Sequence, residues 1–344
     1  MRPRSMKRIC VLPGDGIGPE VVDCAVDVLK QVTDKLEFIN AEIGQVAKER
    51  HGSYLPDETF DLMKSCDSCL FGAVTSSETS DYTSPVLKFR KELDLFANVR
   101  PVRSLVSVRE RSTIDVVIIR ENSEGMYTQK EVFDDEGVTT LRRVTRRASE
   151  RIVSFAIRYS LENGRKRLCC VHKANVLKES DGLFLQVFRG LMEKQLGHLS
   201  KEEQLVDSAA LKLVNEPDAF DVIVTLNLYG DILSDVAAGV AGGLGFAPSG
   251  NIGPKHSVFE PAHGSAPDIA GKGIANPTAT ILAGAMMLNH LGFDDASRAV
   301  VRAVSETYAS GHLTYDLGGR HGSRTFTDHV LKRLAGKPLD ESHR

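Results

Sequence analysis

Short apolar segments alternate along the chain with longer segments in which apolar residues recur every three or four positions. The short runs are typical of buried strands, and the longer periodic segments are typical of amphipathic helices. The pattern predicts strands at residues 9–12, 36–40, 69–71, 115–119, 167–171 and 221–226. It predicts helices at residues 21–32, 56–63, 149–161, 182–191, 276–291, 294–308 and 325–334. This alternation favours an α/β protein with a largely parallel sheet.

Residues 123–147 depart from this pattern, because they are polar, rich in β-forming residues and without a helical period. We expect a projecting hairpin or arm there. Two further breaks are the polar stretch 100–111, which we interpret as a connector, and the glycine-rich stretch 242–253. Together these breaks indicate a domain of residues 104–247, with its arm at about 123–147, inserted between the two parts of an outer domain, residues 1–103 and 248–344.

Composition narrows the class of protein further. A net charge of −3 over 344 residues gives no basis for nucleic acid or an anionic membrane surface as a partner. No apolar run reaches the length of a membrane span, and no signal-peptide apolar segment follows the basic start. Among the six cysteines, Cys10, Cys169 and Cys170 lie inside apolar strand-like runs. We therefore expect reduced thiols and a cytoplasmic protein without membrane or nucleic-acid partners.

The stretch at residues 227–235 follows a predicted buried strand and places Asp231 and Asp235 four positions apart. In a helix this spacing puts both carboxylates on one face, where they repel each other. Two interpretations remain open. Either a hard cation such as Mg²⁺ or Mn²⁺ compensates the charge, or Asp231 is a helix N-cap and Asp235 faces solvent.

Three arginines are candidates for binding an anion. Arg120 ends a predicted buried strand, and Arg90 and Arg100 lie ten positions apart. A guanidinium group clamps a carboxylate with two hydrogen bonds, so three of them beside an acidic pair favour a substrate with several carboxylates. The alternative is structural ion pairs, which is the preferred interpretation for Arg90 taken alone; their partners would be Glu92, Asp94 or Glu121.

Lys173 and Tyr127 are candidates for proton transfer. Lys173 closes a predicted strand and is followed by small and amide residues, and Tyr127 lies at the start of the predicted arm. Both groups can exchange a proton with a substrate oxygen or carbon. The alternatives are a surface lysine and an interface tyrosine.

A long loop at residues 260–277 is rich in glycine and proline and ends at Asn276 and Pro277, before a predicted helix. Ordering such a loop without a ligand is entropically costly. His263 and backbone amides could hold a phosphate or an adenine, and Asp268 could accept a hydrogen bond from a ribose 2′-hydroxyl, which is the usual preference for NAD. The glycine turn at residues 14–18 lacks the spacing of a dinucleotide-binding Rossmann motif.

These elements together resemble the β-decarboxylating 2-hydroxyacid dehydrogenases, the family of the isocitrate, homoisocitrate, 3-isopropylmalate and tartrate enzymes. The resemblance runs from residue 13 to residue 319, and the motifs at residues 227–235 and 263–277 carry it most specifically. It implies a two-domain α/β fold with mixed, largely parallel sheets that is not a Rossmann fold, and a dimer-forming β arm. It also implies oxidation of a 2-hydroxy acid by NAD⁺, followed by metal-assisted loss of the β-carboxylate.

The resemblance assigns roles to residues of this chain. We expect a homodimer, or a tetramer built from it, with Lys173 and Asp207 reaching the active site from the second subunit. The outer domain would bind NAD, and the inserted domain would bind the metal and the substrate and form the dimer. The implied site residues are Asp207, Asp231 and Asp235 for Mg²⁺ or Mn²⁺, Tyr127 and Lys173 for proton transfer, Ser84, Arg90, Arg100, Arg120 and Asn175 for substrate, and His263, Gly264, Ser265, Ala266, Asp268, Ile269 and Asn276 for the cofactor.

The segment before Arg90 points to a substrate. Residues 82–86 read Tyr-Thr-Ser-Pro-Val, which looks most like the pattern of homoisocitrate enzymes. Isopropylmalate enzymes tend to carry an acid at the place of Thr83 and leucines near Val86 and Leu87, and isocitrate enzymes tend to carry an asparagine at the place of Val86. We therefore expect homoisocitrate, a tricarboxylate 2-hydroxy acid, with 3-isopropylmalate, a dicarboxylate, or isocitrate as alternatives.

A different class of function is a non-catalytic regulatory subunit of a hetero-oligomeric isocitrate dehydrogenase. Such subunits usually lose metal-binding or proton-transfer residues. This chain keeps all five of them, namely Tyr127, Lys173, Asp207, Asp231 and Asp235. The sequence therefore favours an enzyme.

Overall fold

The computed structural model describes residues 6–76, 82–105, 114–195 and 197–336. The strands are β1 (Lys7–Gly14), β2 (Leu36–Asn40), β3 (Ser68–Ala73), β4 (Ala97–Arg103), β5 (Asp115–Glu121), β6 (Gly125–Asp134), β7 (Gly137–Arg143), β8 (Arg167–His172), β9 (Ser200–Leu205), β10 (Val222–Thr225), β11 (Pro248–Ile252) and β12 (Ser257–Pro261). The helices are α1 (Gly18–Val32), α2 (Gln45–His51), α3 (Asp57–Ser65), α4 (Pro85–Glu92), α5 (Arg146–Glu162), α6 (Ser180–Lys194), α7 (Val206–Asn215), α8 (Asn227–Ala241), α9 (Thr278–His290), α10 (Asp294–Ala309) and α11 (Ser323–Leu334).

Ten of these strands form one sheet in the order β2-β1-β3-β12-β11-β4-β5-β10-β8-β9. Six of its nine strand pairs are parallel, and the antiparallel pairs all involve β4 or β11 at the centre of the sheet. The strands are short and apolar, and helices cover them, as expected for a sheet buried on both faces. The predicted α/β class with a mixed, largely parallel sheet is confirmed.

The two ends of the sheet come from different parts of the chain. Strands from residues 7–103 and 248–261 form one end, and β5, β10, β8 and β9 form the other. The buried faces of α1, α9, α10 and α11 share one hydrophobic core cluster, and those of α5 and α6 share another. This arrangement is compatible with an inserted domain at residues 104–247, which stays a prediction.

The polar connector predicted at residues 100–111 is wrong for its first part, because β4 continues to Arg103. Polar residues in β4 are buried: Asn98 donates to Ser249 Oγ at 2.7 Å, and Arg100 donates to Asn98 Oδ1 at 2.8 Å. A strand whose polar groups bond to each other inside the protein does not have the apolar pattern that identifies a core strand. Residues 106–111 of the predicted connector lie outside the described residues.

The glycine-rich break at residues 242–253 also contains a strand, β11. Gly250 lies against the ring of Phe259, which a Cβ atom at position 250 would meet at 2.9 Å. The glycine there allows close packing between strands rather than marking a loop.

The predicted arm is a two-stranded antiparallel hairpin of β6 and β7, separate from the main sheet. Its register shifts between Gly125 and Lys130, where Gln129 has a φ of 53°. Most of the side chains of β6 and β7 are exposed. The hairpin itself is therefore confirmed, and its role in forming a dimer stays a prediction.

The six cysteines are buried free thiols. In the part of the chain that the structure describes, no helix is both long and apolar enough to cross a membrane.

Candidate active site

The predicted catalytic groups follow the carboxyl ends of four neighbouring strands. Arg120 lies at the end of β5, Asp231 lies in the helix after β10, Lys173 follows β8, and Asp207 follows β9. Parallel strands bring their carboxyl ends to the same edge of a sheet, which is where open α/β proteins bind ligands. Arg100 joins this edge from β4, which runs antiparallel to β5.

Asp231 is the centre of the polar cluster. Its Oδ1 accepts from Arg120 Nη1 at 2.5 Å and lies 3.3 Å from Arg100 Nη1. Its Oδ2 accepts from the Tyr127 hydroxyl. Because α8 begins at Asn227, Asp231 lies one turn inside the helix, and the alternative that Asp231 is an N-cap is wrong.

Arg120 has a side chain that is only 1% exposed. Its Nε and Nη2 donate to Asn227 Oδ1 at 3.0 and 2.7 Å, and its guanidinium carbon lies 4.9 Å from the centre of the Tyr127 ring. The aliphatic part of Arg120 packs against Gly230, where a Cβ atom would lie 2.6 Å from Arg120 Cβ and Cγ. The glycine of the motif is thus required by the buried arginine.

Asp235 lies one helical turn after Asp231, and its side chain is 56% exposed. The exposed side chain agrees with the alternative in which Asp235 faces solvent. However, Asp235 Oδ1 also lies 3.6 Å from Arg100 Nη1. Arg100 is held by Ser234 Oγ, to which its Nη1 donates at 2.6 Å. One guanidinium therefore lies against both carboxylates of the pair.

Arg90 donates from Nη2 to Glu260 Oε1 at 2.7 Å, and both side chains are buried. The expected local ion-pair partners are wrong: Asp94 pairs with Arg151, and Glu121 accepts from the Ser123 hydroxyl instead. Arg90 therefore has its ion pair with a residue 170 positions away. Its Nε is buried without a hydrogen-bond partner among the described residues.

Lys173 and Asp207 form a separate pair, with Nζ and Oδ1 2.5 Å apart. Among the described residues, their recorded side-chain bonds are to each other and not to Asp231 or Asp235. Lys173 follows the last residue of β8 and precedes a turn that contains the exposed Asn175. One chain thus holds the predicted site in two parts, which is the arrangement expected if Lys173 and Asp207 serve a second subunit.

The electrostatic environment fixes the protonation of the cluster. Burial raises the pKa of Asp231, but Arg120, Tyr127 and Arg100 together hold it below its ordinary value. Burial raises the pKa of Asp235, with Arg100 opposing and Asp231 adding to the rise. Burial and the hydrogen bond to Asp231 raise the pKa of Tyr127, so its phenol stays protonated at neutral pH. Burial and the charge of Arg100 lower the pKa of Arg120 to about 10, so it stays charged.

Ser84 caps α4, because its Oγ accepts from the backbone amide of Leu87 at 3.3 Å. Among the described residues no acceptor is recorded for its hydroxyl proton, so this group can donate to a ligand. Val86 packs against the core cluster that contains Leu12 and Phe89. Residue 81, the first of the predicted specificity segment, lies outside the described residues.

The glycine turn after β1 packs directly on the predicted cofactor loop. A Cβ atom on Gly16 would lie 1.9 Å from the carbonyl oxygen of Ser265, and Ile17 N donates to that oxygen at 2.8 Å. A Cβ atom on Gly14 would likewise lie 1.9 Å from the carbonyl oxygen of Ala73. The glycines thus serve backbone packing, which explains why their spacing is not that of a dinucleotide-binding turn.

The loop at residues 263–276 offers a fitting surface for a dinucleotide. His263 Nε2 is buried without a hydrogen-bond partner among the described residues, and burial lowers the pKa of this imidazole. Gly264 and Asp268 are exposed, and Ala266 has a φ of 38°. Unsatisfied buried polar atoms and unusual backbone angles are typical of ligand-binding loops.

The other predicted cofactor-binding residues of this loop have side chains that already contact the protein. Ser265 is buried, and its Oγ accepts from Thr75 Oγ1 at 2.8 Å. Ile269 packs against a small core cluster with Ile17. Asn276 donates to Asp316 Oδ2 at 3.0 Å, and its Oδ1 accepts from Thr278 N. These three side chains shape the loop in this state, and a cofactor would meet the exposed positions beside them.

Sequence reasoning missed three residues that position the cluster: Asn227, Gly230 and Glu260. Asn227 also donates from Nδ2 to the carbonyl of Glu124 at 2.9 Å, which joins α8 to the base of the hairpin. Asn227 and Gly230 lie in the motif that pointed to the metal pair, so their spacing around Asp231 was an available signal. Glu260 had no such signal.

The carboxylates fit a hard divalent cation. Asp231 and Asp235 present oxygen atoms on one face of α8, and oxygen ligands are what Mg²⁺ and Mn²⁺ prefer. Two carboxylates are fewer than such an ion usually takes, so substrate, water or a further carboxylate would complete the set.

A family model described as isocitrate/isopropylmalate dehydrogenase matches residues 8–332, and the chain belongs to that family. The relatives and solved structures that this chain is similar to support its assignment as a β-decarboxylating dehydrogenase. This confirms the resemblance seen in the sequence.

Three relatives are informative. Homoisocitrate dehydrogenase of Methanocaldococcus jannaschii is 42% identical, covering 96% of this chain and 99% of the relative. The 3-isopropylmalate/3-methylmalate dehydrogenase of the same organism is 46% identical with the same coverage. The crystal structure of isocitrate dehydrogenase from Methylococcus capsulatus has a TM-score of 0.92 and 41% identity, and covers 96% of this chain and 99% of that one. Relatives named for different substrates are about equally similar, so overall identity does not select a substrate.

Proposed function

We propose that this protein is an NAD-dependent dehydrogenase that oxidises and decarboxylates homoisocitrate in the presence of Mg²⁺ or Mn²⁺. The observation that carries the proposal is the convergence of Arg100 and Arg120 on Asp231, beside Asp235 and the Tyr127 hydroxyl. Family membership supports the reaction class, and the cluster supplies groups for each part of it.

The charges of the cluster suit a polyanionic substrate. The guanidinium groups of Arg100 and Arg120 balance the carboxylates of Asp231 and Asp235 within the chain. A divalent cation held by the two aspartates would leave the cluster with an excess of positive charge. The arginines would then be available to bind substrate carboxylates with paired hydrogen bonds.

The reaction converts the substrate and NAD⁺ into a 2-oxo acid, CO₂ and NADH. A divalent cation at Asp231 and Asp235, with Asp207 of a second subunit, would supply Lewis-acid polarisation of the substrate oxygen. Arg100 and Arg120 orient the carboxylates, so that the hydrogen on the hydroxyl-bearing carbon can leave as hydride to NAD⁺.

Two protons move in this scheme. Lys173, in its neutral amine form, accepts the proton of the substrate hydroxyl as the ketone forms. The bond to the β-carboxylate then breaks, CO₂ leaves, and Tyr127 delivers a proton to the carbon that carried it. The raised pKa of Tyr127 supports this role, because the phenol holds its proton at neutral pH until an enolate needs it.

Lys173 and Asp207 enter this scheme from a second copy of the chain. Exposed apolar side chains support a homodimer on two surfaces. The hairpin exposes Val132, Phe133, Val138 and Leu141, and the neighbouring helices α7 and α8 expose Leu211, Val214 and Ile232. Large exposed apolar side chains gathered on one hairpin and on one pair of helices are a feature of protein interfaces. Because Asp207 begins α7 and Asp231 lies on α8, an interface there would join the two parts of the site.

The division of labour proposed for the two ends of the sheet follows from these positions. The inserted domain, residues 104–247, contains the predicted metal and proton-transfer groups and the hairpin. The outer domain contains the loop at residues 263–276 and the glycine turn beneath it. We assign dimerisation and catalysis to the former and cofactor binding to the latter, and the free buried thiols support a reducing compartment such as the cytoplasm.

The preference for homoisocitrate rests on residues 82–84, which supply three hydroxyl groups ahead of Arg90. The Tyr82 hydroxyl is buried and finds no hydrogen-bond partner among the described residues. A distal substrate carboxylate can accept a hydrogen bond from this hydroxyl, and an isopropyl group cannot. The relative named homoisocitrate dehydrogenase supports the same choice.

The proposal is tested by the kcat/KM of the purified chain with homoisocitrate, isocitrate, 3-isopropylmalate and malate, in the presence of NAD⁺ and Mg²⁺. The highest value is expected for homoisocitrate. A strong preference for 3-isopropylmalate would contradict the substrate. No turnover of any of the four by the chain alone would favour a regulatory subunit.

Cofactor choice is tested separately. Asp268 is exposed on the loop, where its carboxylate can accept from a ribose 2′-hydroxyl and would repel a 2′-phosphate. We expect kcat/KM to favour NAD⁺ over NADP⁺, and Asp268→Ser to reduce the ratio by about tenfold or more. Replacement of the exposed Asp295, on α10, serves as the control and leaves the ratio unchanged.

A further inference from the structure

Three histidines meet between the loop after α10 and the last helix, α11. His312 and His321 lie in the loop, and His329 lies on α11. One ring nitrogen from each lies within 4.8 Å of the others. Among the described residues, these three side chains are the group that is spaced closely enough to hold a metal ion. The predicted active site does not use any of them.

The spacing of His312 and His321 suits a tetrahedral ion. His312 Nδ1 lies 3.3 Å from His321 Nε2. Two imidazole nitrogens bound to Zn²⁺ at about 2.0–2.1 Å in a tetrahedron lie about 3.3–3.4 Å apart. The His312 and His329 rings stack with centroids 3.8 Å apart, and His329 Nδ1 is buried without a hydrogen-bond partner among the described residues. One nitrogen of each of the three rings lies within 4.8 Å of the others. Because a nitrogen lone pair lies in the plane of its ring, His329 must turn out of the stack to direct its nitrogen at the same ion.

The surroundings keep these imidazoles neutral, which is the form that binds metals. Burial, and then the neighbouring histidines, lower the pKa of His329 to about 4. Burial also lowers the pKa of His312 and His321. The basic neighbours of His312 are Arg320, Lys332 and Arg333.

These neighbours also select the kind of ion. No carboxylate belongs to the cluster among the described residues, and the nearby charges are basic. A hard cation such as Mg²⁺ binds through oxygen ligands and charge, and it gains little here. A borderline transition metal forms strong bonds to neutral imidazole and tolerates the basic surroundings better.

We propose that His312, His321 and His329 form a second metal site, distinct from the carboxylate site, that binds Zn²⁺ or a similar transition metal with a fourth position open to water. The ion would tie the loop at residues 312–321 to α11. The loop touches the predicted cofactor loop through Asp316, which accepts from Asn276. The first residue of α11 touches it too, because Ser323 N donates to the carbonyl of Gly273. The proposal does not depend on the substrate or on the reaction.

The test uses Co²⁺ as a spectroscopic probe on the full-length protein, stripped with a chelator and supplied with excess Mg²⁺. Four-coordinate Co²⁺ with nitrogen ligands absorbs strongly in the visible range, whereas six-coordinate Co²⁺ on carboxylates absorbs weakly. We expect the wild type to bind one equivalent with the strong bands. His321→Asn and His329→Asn should lose the bands and weaken Co²⁺ binding about 100-fold or more.

The control is His198→Asn, because His198 is exposed outside the cluster and its replacement should leave the bands unchanged. Thermal unfolding provides a second readout, in which Zn²⁺ raises the Tm of the wild type and not of His321→Asn. If His329→Asn fails to fold, His321→Asn decides, since His321 lies in the loop. A wild type without the strong bands, or bands that persist in the folded histidine variants, would overturn the proposal.

Discussion

At position 230 a side chain would collide with the arginine that holds the candidate active site together. A Cβ atom there lies 2.6 Å from Arg120 Cβ and Cγ, and Arg120 is buried. Overpacking a buried site usually costs about 1–3 kcal/mol. We therefore expect Gly230→Ala to lower the free energy of unfolding by that amount, measured by urea denaturation, and to lower kcat/KM because Arg120 shifts away from Asp231.

The matched control is Gly239→Ala in the same helix, where a Cβ atom meets nothing within 4 Å. Alanine is a better helix former than glycine by about 0.8–1.0 kcal/mol. This variant should be neutral or more stable. Equal behaviour of the two variants would contradict the role given to Gly230.

Asp235 is predicted to lower the stability of the metal-free protein. Its pKa is raised in the folded state by burial, so the ionised form is disfavoured on folding at neutral pH. Asp235→Asn should therefore raise the Tm without Mg²⁺. The difference should grow as the pH rises above the ordinary pKa of 3.8 and vanish below it, where the carboxyl group is protonated in both states.

With Mg²⁺ the order should reverse, because an ion bound to the folded state stabilises it by mass action and the variant has lost a ligand. Thermal unfolding at several pH values, with and without Mg²⁺, measures both effects. A lower Tm of Asp235→Asn in the absence of Mg²⁺ would contradict this assignment.

At the residue scale the sequence predicted the members of the cluster better than their partners. Asp231, Asp235, Arg100, Arg120 and Tyr127 do come together. The partner of Arg90 was missed, because Glu260 is 170 positions away and belongs to another strand. Chemistry-bearing residue types are visible in a sequence, whereas contacts between distant strands depend on the sheet order.

At the scale of elements, the glycine turn after β1 supports the predicted cofactor loop. Gly16 has a φ of 59°, and its Cβ atom would lie 1.9 Å from the carbonyl oxygen of Ser265. Gly16→Ala should displace the loop and raise the KM for NAD⁺ about tenfold or more, since cofactor contacts are sensitive to small displacements. Steady-state kinetics with varied NAD⁺ measures the effect.

Gly271→Ala separates this contact from backbone strain. Gly271 also has a positive φ, of 73°, and lies in the predicted cofactor loop itself. A Cβ atom on Gly271 would meet nothing within 4 Å. Strain alone costs of order 1–3 kcal/mol and should affect stability in both variants. A KM for NAD⁺ that changes equally in both would sink the idea that the turn positions the loop.

The elements that the sequence missed lack the patterns that identify strands and helices. β9 is the polar stretch Ser200–Leu205 at the edge of the sheet, and none of its residues is buried. β4 is buried but carries Asn98 and Arg100, which bond inside the protein. In contrast, the apolar strands and the amphipathic helices α1, α5 and α10 were predicted nearly to their ends.

At the scale of the molecule, one sheet connects the two parts of the chain, with antiparallel β4 and β11 at its centre. Alternating strands and helices predicted a parallel sheet, but this pattern does not specify strand order. The position of β11 between β12 and β4 is set by long-range pairing such as that of Asn251 with Asn98. The sheet order could therefore not be predicted from the periodicity.

The same scale decides how the active site is completed. Asp231 and Tyr127 lie in one cluster, and Lys173 and Asp207 lie in another. A homodimer in which each site takes one cluster from each chain uses both. Separation of the subunits should then abolish activity even where each subunit stays folded.

Mixing two inactive variants tests this central claim most directly. Asp231→Asn and Lys173→Met should each be inactive alone. In randomly paired dimers of the two, half of the dimers contain both variants, and a shared site leaves one intact site in each of these. The mixture should therefore regain about a quarter of the wild-type activity. If both groups came from the same chain, every site would carry a mutation, and a mixture that stays inactive although mixed dimers have formed would contradict the account.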